Sequence, residues 1–159
     1  MEDLVRNIHS SYVMDANDVA WDYYIEFHHI ILSYLSPEED MNIGDKIPLN
    51  VLSDLVDRAY PHLLDWAREK RSRLAYLVLA LHIMFWGANM SEELKKYALE
   101  YSKWKYERHQ LKNKKDRIER RKMLLDFRAK LLAYKDGQKI NFPSKIYTEE
   151  SRYPIKYKI

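Results

Sequence analysis

From Ser91 to Lys135 the chain runs without a single Gly or Pro. Proline removes a backbone donor and glycine adds backbone freedom, so a stretch lacking both has little to stop a helix. One unbroken helix over it would be roughly 65 Å long at 1.5 Å per residue. A rod of that length needs an apolar seam along its whole length. Apolar residues do recur every seven positions, at Tyr97, Trp104, Leu111, Ile118, Leu125 and Leu132. The companion positions four residues on read Tyr101, Arg108, Lys115, Lys122 and Ala129. A coiled-coil seam needs both positions apolar. The seam fails in its middle, which predicts a compact domain with a break near His109–Asn113.

The breakers that exist punctuate the rest of the chain. Asp15 or Asn17 can cap a helix running to about Ser36, with Val19, Tyr23, Phe27, Ile30, Ile31, Tyr34 and Leu35 near one stripe. Pro37 ends it, and the acidic segment 37–48 reads as a loop. A second helix starts at Asn50 or at Pro48–Leu49 and carries Leu52, Leu55, Val56 and Ala59 on one face. Pro61 then allows a kink or a fresh first turn. Leu74–Trp86 is apolar nearly all round and is expected at the centre of the fold. It is shorter than the roughly 20 residues a membrane span needs, so no membrane is expected. Gly87 and Asn89 are stops, and Ser91 before Glu92 and Glu93 is a helix start. Gly137 closes the last helix, and the tail Gln138–Ile159, with Pro143 and Pro154, is expected to lie extended across the helices. The 159 residues suit one domain. The expected fold is all-α, a single compact helical domain over 1–159 with an irregular C-terminal tail.

Composition narrows the chemistry. With no cysteine, the chain forms no disulfide, thiolate zinc site or iron–sulfur ligation of its own, and a reducing compartment is favoured. The opening Met-Glu-Asp-Leu-Val-Arg is acidic and lacks the apolar core of a signal peptide, so a cytoplasmic location is expected. His28 and His29 are adjacent, about 100° apart on a helix, and cannot share a metal. Glu26 with His29 makes one Glu-x-x-His unit where a di-metal bundle needs two. His82, inside the apolar helix, reads as a hydrogen-bonded core residue. Neither a phosphate-cradling Gly-rich loop, a Gly-x-Ser-x-Gly elbow nor a His-Glu-x-x-His pair is present. No catalytic residue, metal or cofactor is expected. Thirteen tyrosines and four tryptophans read first as packing.

Charge is divided along the chain. Residues 1–65 hold three basic and thirteen acidic side chains, whereas 66–159 hold 24 basic and 11 acidic ones. Residues 103–122 alone carry ten Lys or Arg against three Asp or Glu. Either the two parts neutralise each other, with long side chains solvating helix faces, or the basic part meets phosphate. The sharpest local feature is Arg68, Lys70, Arg71 and Arg73 followed by Tyr76. Arg73 and Tyr76, three apart on a helix, share a face, and a guanidinium fork beside a ring can hold a triphosphate or a backbone phosphate. A solvated helix start is the alternative.

The segments YPHL (60–63), WAREKRSR (66–73), RLAYLVLALHIMFWGANMSEELKKYALEYSKW (73–104) and DGQKINFPSK (136–145) follow one another in an order that resembles a known family. It is the C-terminal domain of the archaeal and eukaryotic DNA primase large subunit. The likeness runs over 60–146, is closest over about 60–104, and covers neither the acidic helices of 1–59 nor the tail 147–159. Leu63 and Lys145 stand where that family has its first and last cluster cysteines, so no iron–sulfur cluster can be held. The resemblance therefore points to a cluster-less branch, the non-catalytic third subunit of Sulfolobus-type primases. It implies a fold like that domain and support of primer initiation in DNA replication. It also implies binding of the initiating nucleoside triphosphate, with catalytic small and large primase subunits, template DNA and primer as partners. Arg73 and Tyr76 match the family's nucleotide site, Arg68 and Arg71 lie in its basic stretch, and its later contacts fall near Phe127 and Arg128. The competing expectation is a helical nucleic-acid-binding or structural protein of an archaeal virus or plasmid, working through 103–122.

Overall fold

The structure, a computed structural model, describes residues 18–36, 46–140 and 151–152. In chain order come α1 (Asp18–Leu32), β1 (Lys46–Ile47), α2 (Leu49–Lys70), α3 (Arg73–Trp86), α4 (Glu92–Tyr101), a 3-10 turn (Trp104–Tyr106), α5 (Lys114–Ala133) and β2 (Ser151–Arg152). The described chain is all-helical apart from one two-residue antiparallel pairing, Lys46 with Arg152 and Ile47 with Ser151. The expected caps Asp15 and Asn17, most of the 37–48 loop, and 141–150 and 153–159 of the tail lie outside the described residues.

Every residue of α3 from Leu74 to Trp86 is buried. A helix apolar on all sides loses least by being surrounded, and α1, α2 and α4 all pack against it. Its start is capped by the Ser72 hydroxyl, which accepts from the Leu74 N–H at 3.3 Å. Its end is set by Gly87 at φ 70°, with the Ala88 N–H donating back to the Ile83 carbonyl at 3.0 Å. A Cβ on Gly87 would stand 3.3 Å from the Gly137 carbonyl oxygen, so this position requires glycine for conformation and for space.

Several hydrogen bonds accompany that close approach between the end of α3 and the turn after α5. The Tyr134 hydroxyl donates to the Ala88 carbonyl at 2.5 Å, and the Ile140 N–H to Met84 at 2.8 Å. The Met90 N–H donates to Asp136 Oδ1 at 2.9 Å. Ser91 caps α4 by accepting from the Leu94 N–H, and Tyr60 of α2 holds Ser91 through both its hydroxyl and its N–H. Glu92 and Glu93 fill the first turn of α4, where the helix dipole favours carboxylates.

Two local expectations are narrowed: Pro61 starts no fresh helix, and the break after Tyr101 is extended. α2 passes through Pro61 as a single helix, with the ring on the solvent side. The break in the Gly-free stretch is longer than expected, since α4 ends at Tyr101 and α5 begins only at Lys114 under an Asn113 cap. The seven-residue apolar series consequently splits over three elements. Its α5 members, Ile118, Leu125 and Leu132, face solvent. The face that α5 buries is Arg120, Leu124, Phe127 and Leu131. A buried arginine hides that face from any count of apolar residues.

Candidate anion-binding surface

The residues singled out from sequence meet at the α2–α3 junction, but they divide into an inner and an outer pair. Arg68, in the last turn of α2, is exposed and bonded to Asp65 at 2.9 Å and to Glu93 of α4 at 2.5 Å. The bond from Arg68 holds the Glu93 carboxyl below its usual range. Arg71 is exposed and takes the left-handed conformation that ends α2, at φ 51° and ψ 35°. With both residues at a helix C-terminus, their charge also favours the dipole there.

Arg73 and Tyr76 point inward. Tyr76 is buried, its ring stacked on Tyr97 at 4.9 Å and set against Tyr101 at 5.5 Å. Burial, with the two neighbouring phenols, raises its pKa. The Arg73 guanidinium donates from Nε to the Tyr101 carbonyl at 3.1 Å and from Nη2 to Glu107 Oε2 at 2.5 Å. It also lies over the Tyr106 ring, 5.8 Å from the centroid. The shared face expected of the two residues is present, and it is turned towards α4 and the connector after it.

Glu107 receives a second arginine. Arg120, fully buried on α5, donates from Nε to Oε1 at 2.6 Å and from Nη2 to Oε2 at 3.2 Å. Burial alone would raise the Glu107 pKa, but Arg120 and then Arg73 outweigh it and hold the carboxyl below its ordinary value. This Arg73–Glu107–Arg120 triad pins the connector between α3 and α5. No reading of the sequence identified it. The one available signal was a lone Glu107 among the basic residues of 103–108.

With the triad buried, the surface left on this segment is predominantly cationic. Of the ten Lys and Arg in 103–122, only Arg120 is buried, and the other nine are exposed. Among the three acids, Glu107 is inside, and Asp116 and Glu119 are half-buried. Beside this run α4 and α5 enclose an open groove of about 610 Å³, lined by Lys95, Lys96, Tyr97, Lys103, Arg128 and Leu132 among others. Arg128 braces its wall by donating to the Leu99 carbonyl and the Ser102 hydroxyl, while Phe127 is in the core. Glu100, at the groove edge, is bonded to Lys103 and to the Tyr106 hydroxyl, which lower its pKa to about 2.

Among protein-family models, curated proteins and solved structures, no match to the chain is found. Among the described residues no group of three His, Cys, Asp or Glu side chains could hold a metal ion. No helix there is long and apolar enough to cross a membrane.

Proposed function

We propose that the protein is a non-catalytic binding module that engages the phosphate backbone of nucleic acid through residues 103–122. The observation that carries this reading is the sorting of charge by burial. The segment exposes nine of its ten cations, while of its three acids Glu107 is neutralised inside and Asp116 and Glu119 are half-buried. Lys112, Lys114 and Lys115 stand together where α5 starts, and Arg117, Arg121 and Lys122 continue along its exposed side. Each phosphate neutralised by such a cation releases counterions, so binding weakens steeply as salt rises. Fluorescence anisotropy with a labelled duplex over a salt series tests the reading. Replacing Lys112, Lys114 and Lys115 with Gln should reduce the log–log salt slope by about 2–3, at about 0.9 per lost phosphate contact. Arg73→Ala should leave that slope unchanged. A slope insensitive to the triple replacement rejects the assignment.

A second, narrower reading follows the primase resemblance: a third subunit that holds the initiating nucleoside triphosphate beside the catalytic subunits. It is favoured by the position of Arg73 and Tyr76 on one face of the first turn of α3, with exposed Arg68 and Arg71 next to them. In this reading the triphosphate displaces Glu107 as the partner of Arg73, and Tyr97 and Tyr101 flank it. Equilibrium binding of ATP to the wild-type chain and to a folded Arg73→Ala variant is the measurement. Loss of binding supports the assignment, and undiminished binding sinks it.

A further inference from the structure

Ile118, Leu125 and Leu132 are the exposed large apolar side chains among the described residues, at 47%, 58% and 62% exposure. All three lie on α5 at seven-residue spacing, marking a line roughly 21 Å long at 1.5 Å per residue. Single exposed apolar residues are ordinary, whereas three on one line of a helix that runs into an apolar-lined groove call for an explanation. The row ends in the α4–α5 groove, where Leu132 is joined by Leu99 and Tyr97. Exposed Arg121 and Lys122 flank it on α5, and the groove itself carries Lys95, Lys96, Lys103 and Arg128 against Glu92 and Glu100, the latter bonded to Lys103. The acids of α5, Asp116, Glu119 and Asp126, lie at least about 80° round the helix from the row, given 3.6 residues per turn.

Phosphate gains nothing from leucine, so nucleic-acid binding leaves this row unexplained. A second copy packed α5 against α5 would set Arg121 and Lys122 against cations of the same kind. A groove open along a helix suits a rod better than a plane. We propose that the row and the adjoining groove receive an acidic amphipathic helix of a partner protein. Its apolar stripe packs on Leu125, Leu132 and Leu99, and its flanking carboxylates meet Lys96, Arg121 and Lys122.

The test uses the full chain and a synthetic Leu/Glu helical peptide with one apolar face, against a scrambled peptide of the same composition. Calorimetric titration should show saturable one-to-one binding, at least about tenfold tighter than the scrambled control. The Leu125→Asn/Leu132→Asn variant, which adds no charge, should lose at least about tenfold in peptide affinity, as replaced hot-spot residues do, while its duplex binding is unchanged. A second variant, Arg121→Glu/Lys122→Glu, should weaken the peptide as well. Several results overturn the proposal. They are absence of peptide binding, equal binding of the scrambled peptide, or an affinity unmoved by Leu125→Asn/Leu132→Asn. A dimer seen by light scattering and abolished by that variant would assign the row to a second copy. Loss in that variant of binding to phosphatidylserine vesicles, without any peptide binding, would assign it to a membrane surface.

Discussion

Glu107→Ala is expected to lower the free energy of unfolding by about 3–5 kcal/mol, the usual cost of leaving a buried charge without its partner. The reason lies in what stays behind. Arg120 is fully buried and directs Nε and Nη2 at the two Glu107 oxygens. Without the carboxylate, its guanidinium must either stay charged in the core or drag α5 outward. Arg73→Ala should cost less, since Glu107 would still have Arg120 and the Arg73 site is partly open to water. Urea titration should show a lower midpoint for Glu107→Ala at an unchanged slope. A loss no larger than about 1 kcal/mol, the level of an exposed pair, would mean that the triad is not sealed from water. The pH sign follows from the depressed pKa. Stability from Glu107 is present above the unfolded carboxyl value of about 4.3 and is lost as pH falls through the lower folded one.

Acid should act earlier through the histidines. His82 is packed among Tyr24, Phe27 and Trp86, with Nδ1 2.7 Å from the Val78 carbonyl, and His28 sits against Tyr24 and Trp86. Burial first, and their mutual or neighbouring imidazole charge last, lower the His28 pKa to about 4 and that of His82 to about 3. Unfolded, each titrates near 6.5. Below that value the unfolded chain takes up protons the folded one refuses, so stability is lost as pH falls from 6.5 towards the folded values. By pH 5 the loss should be about 2 kcal/mol per histidine, or about 4 kcal/mol for the pair. Denaturation midpoints measured from pH 7 to pH 5 test this, and His82→Phe should remove about half of the slope. A stability profile flat over that interval would show that the two imidazoles are not kept neutral by the core.

Much of the architecture could be read before any coordinates. The all-round apolar character of Leu74–Trp86 placed it at the centre, and Gly87 and Ser91 marked real helix boundaries. Local rules suffice there because each signal acts on its own element. They fail on α5, where Arg120 occupies a core position and the apolar series at 118, 125 and 132 looks outward. Periodicity counts side chains by polarity, and an arginine neutralised by a distant carboxylate is counted on the wrong side. The candidate site was half legible for the same reason. That Arg73 and Tyr76 share a face follows from spacing alone. Their turn towards Glu107 and Tyr101, thirty or so residues away, depends on how α4 and the connector fold back, and no local pattern encodes that.

Because α5 meets water on one side and the core through Arg120, Phe127 and Leu131 on the other, its two faces are thermodynamically linked. To swing away from the body it must break the ion pair with Glu107 and strip Tyr134 from Ala88. Any partner held only by the seated helix adds its own binding free energy to that opening step, by RT ln(1 + [L]/Kd). The outer surface of α5 can therefore report its occupancy through the exchange protection of amides that no ligand touches.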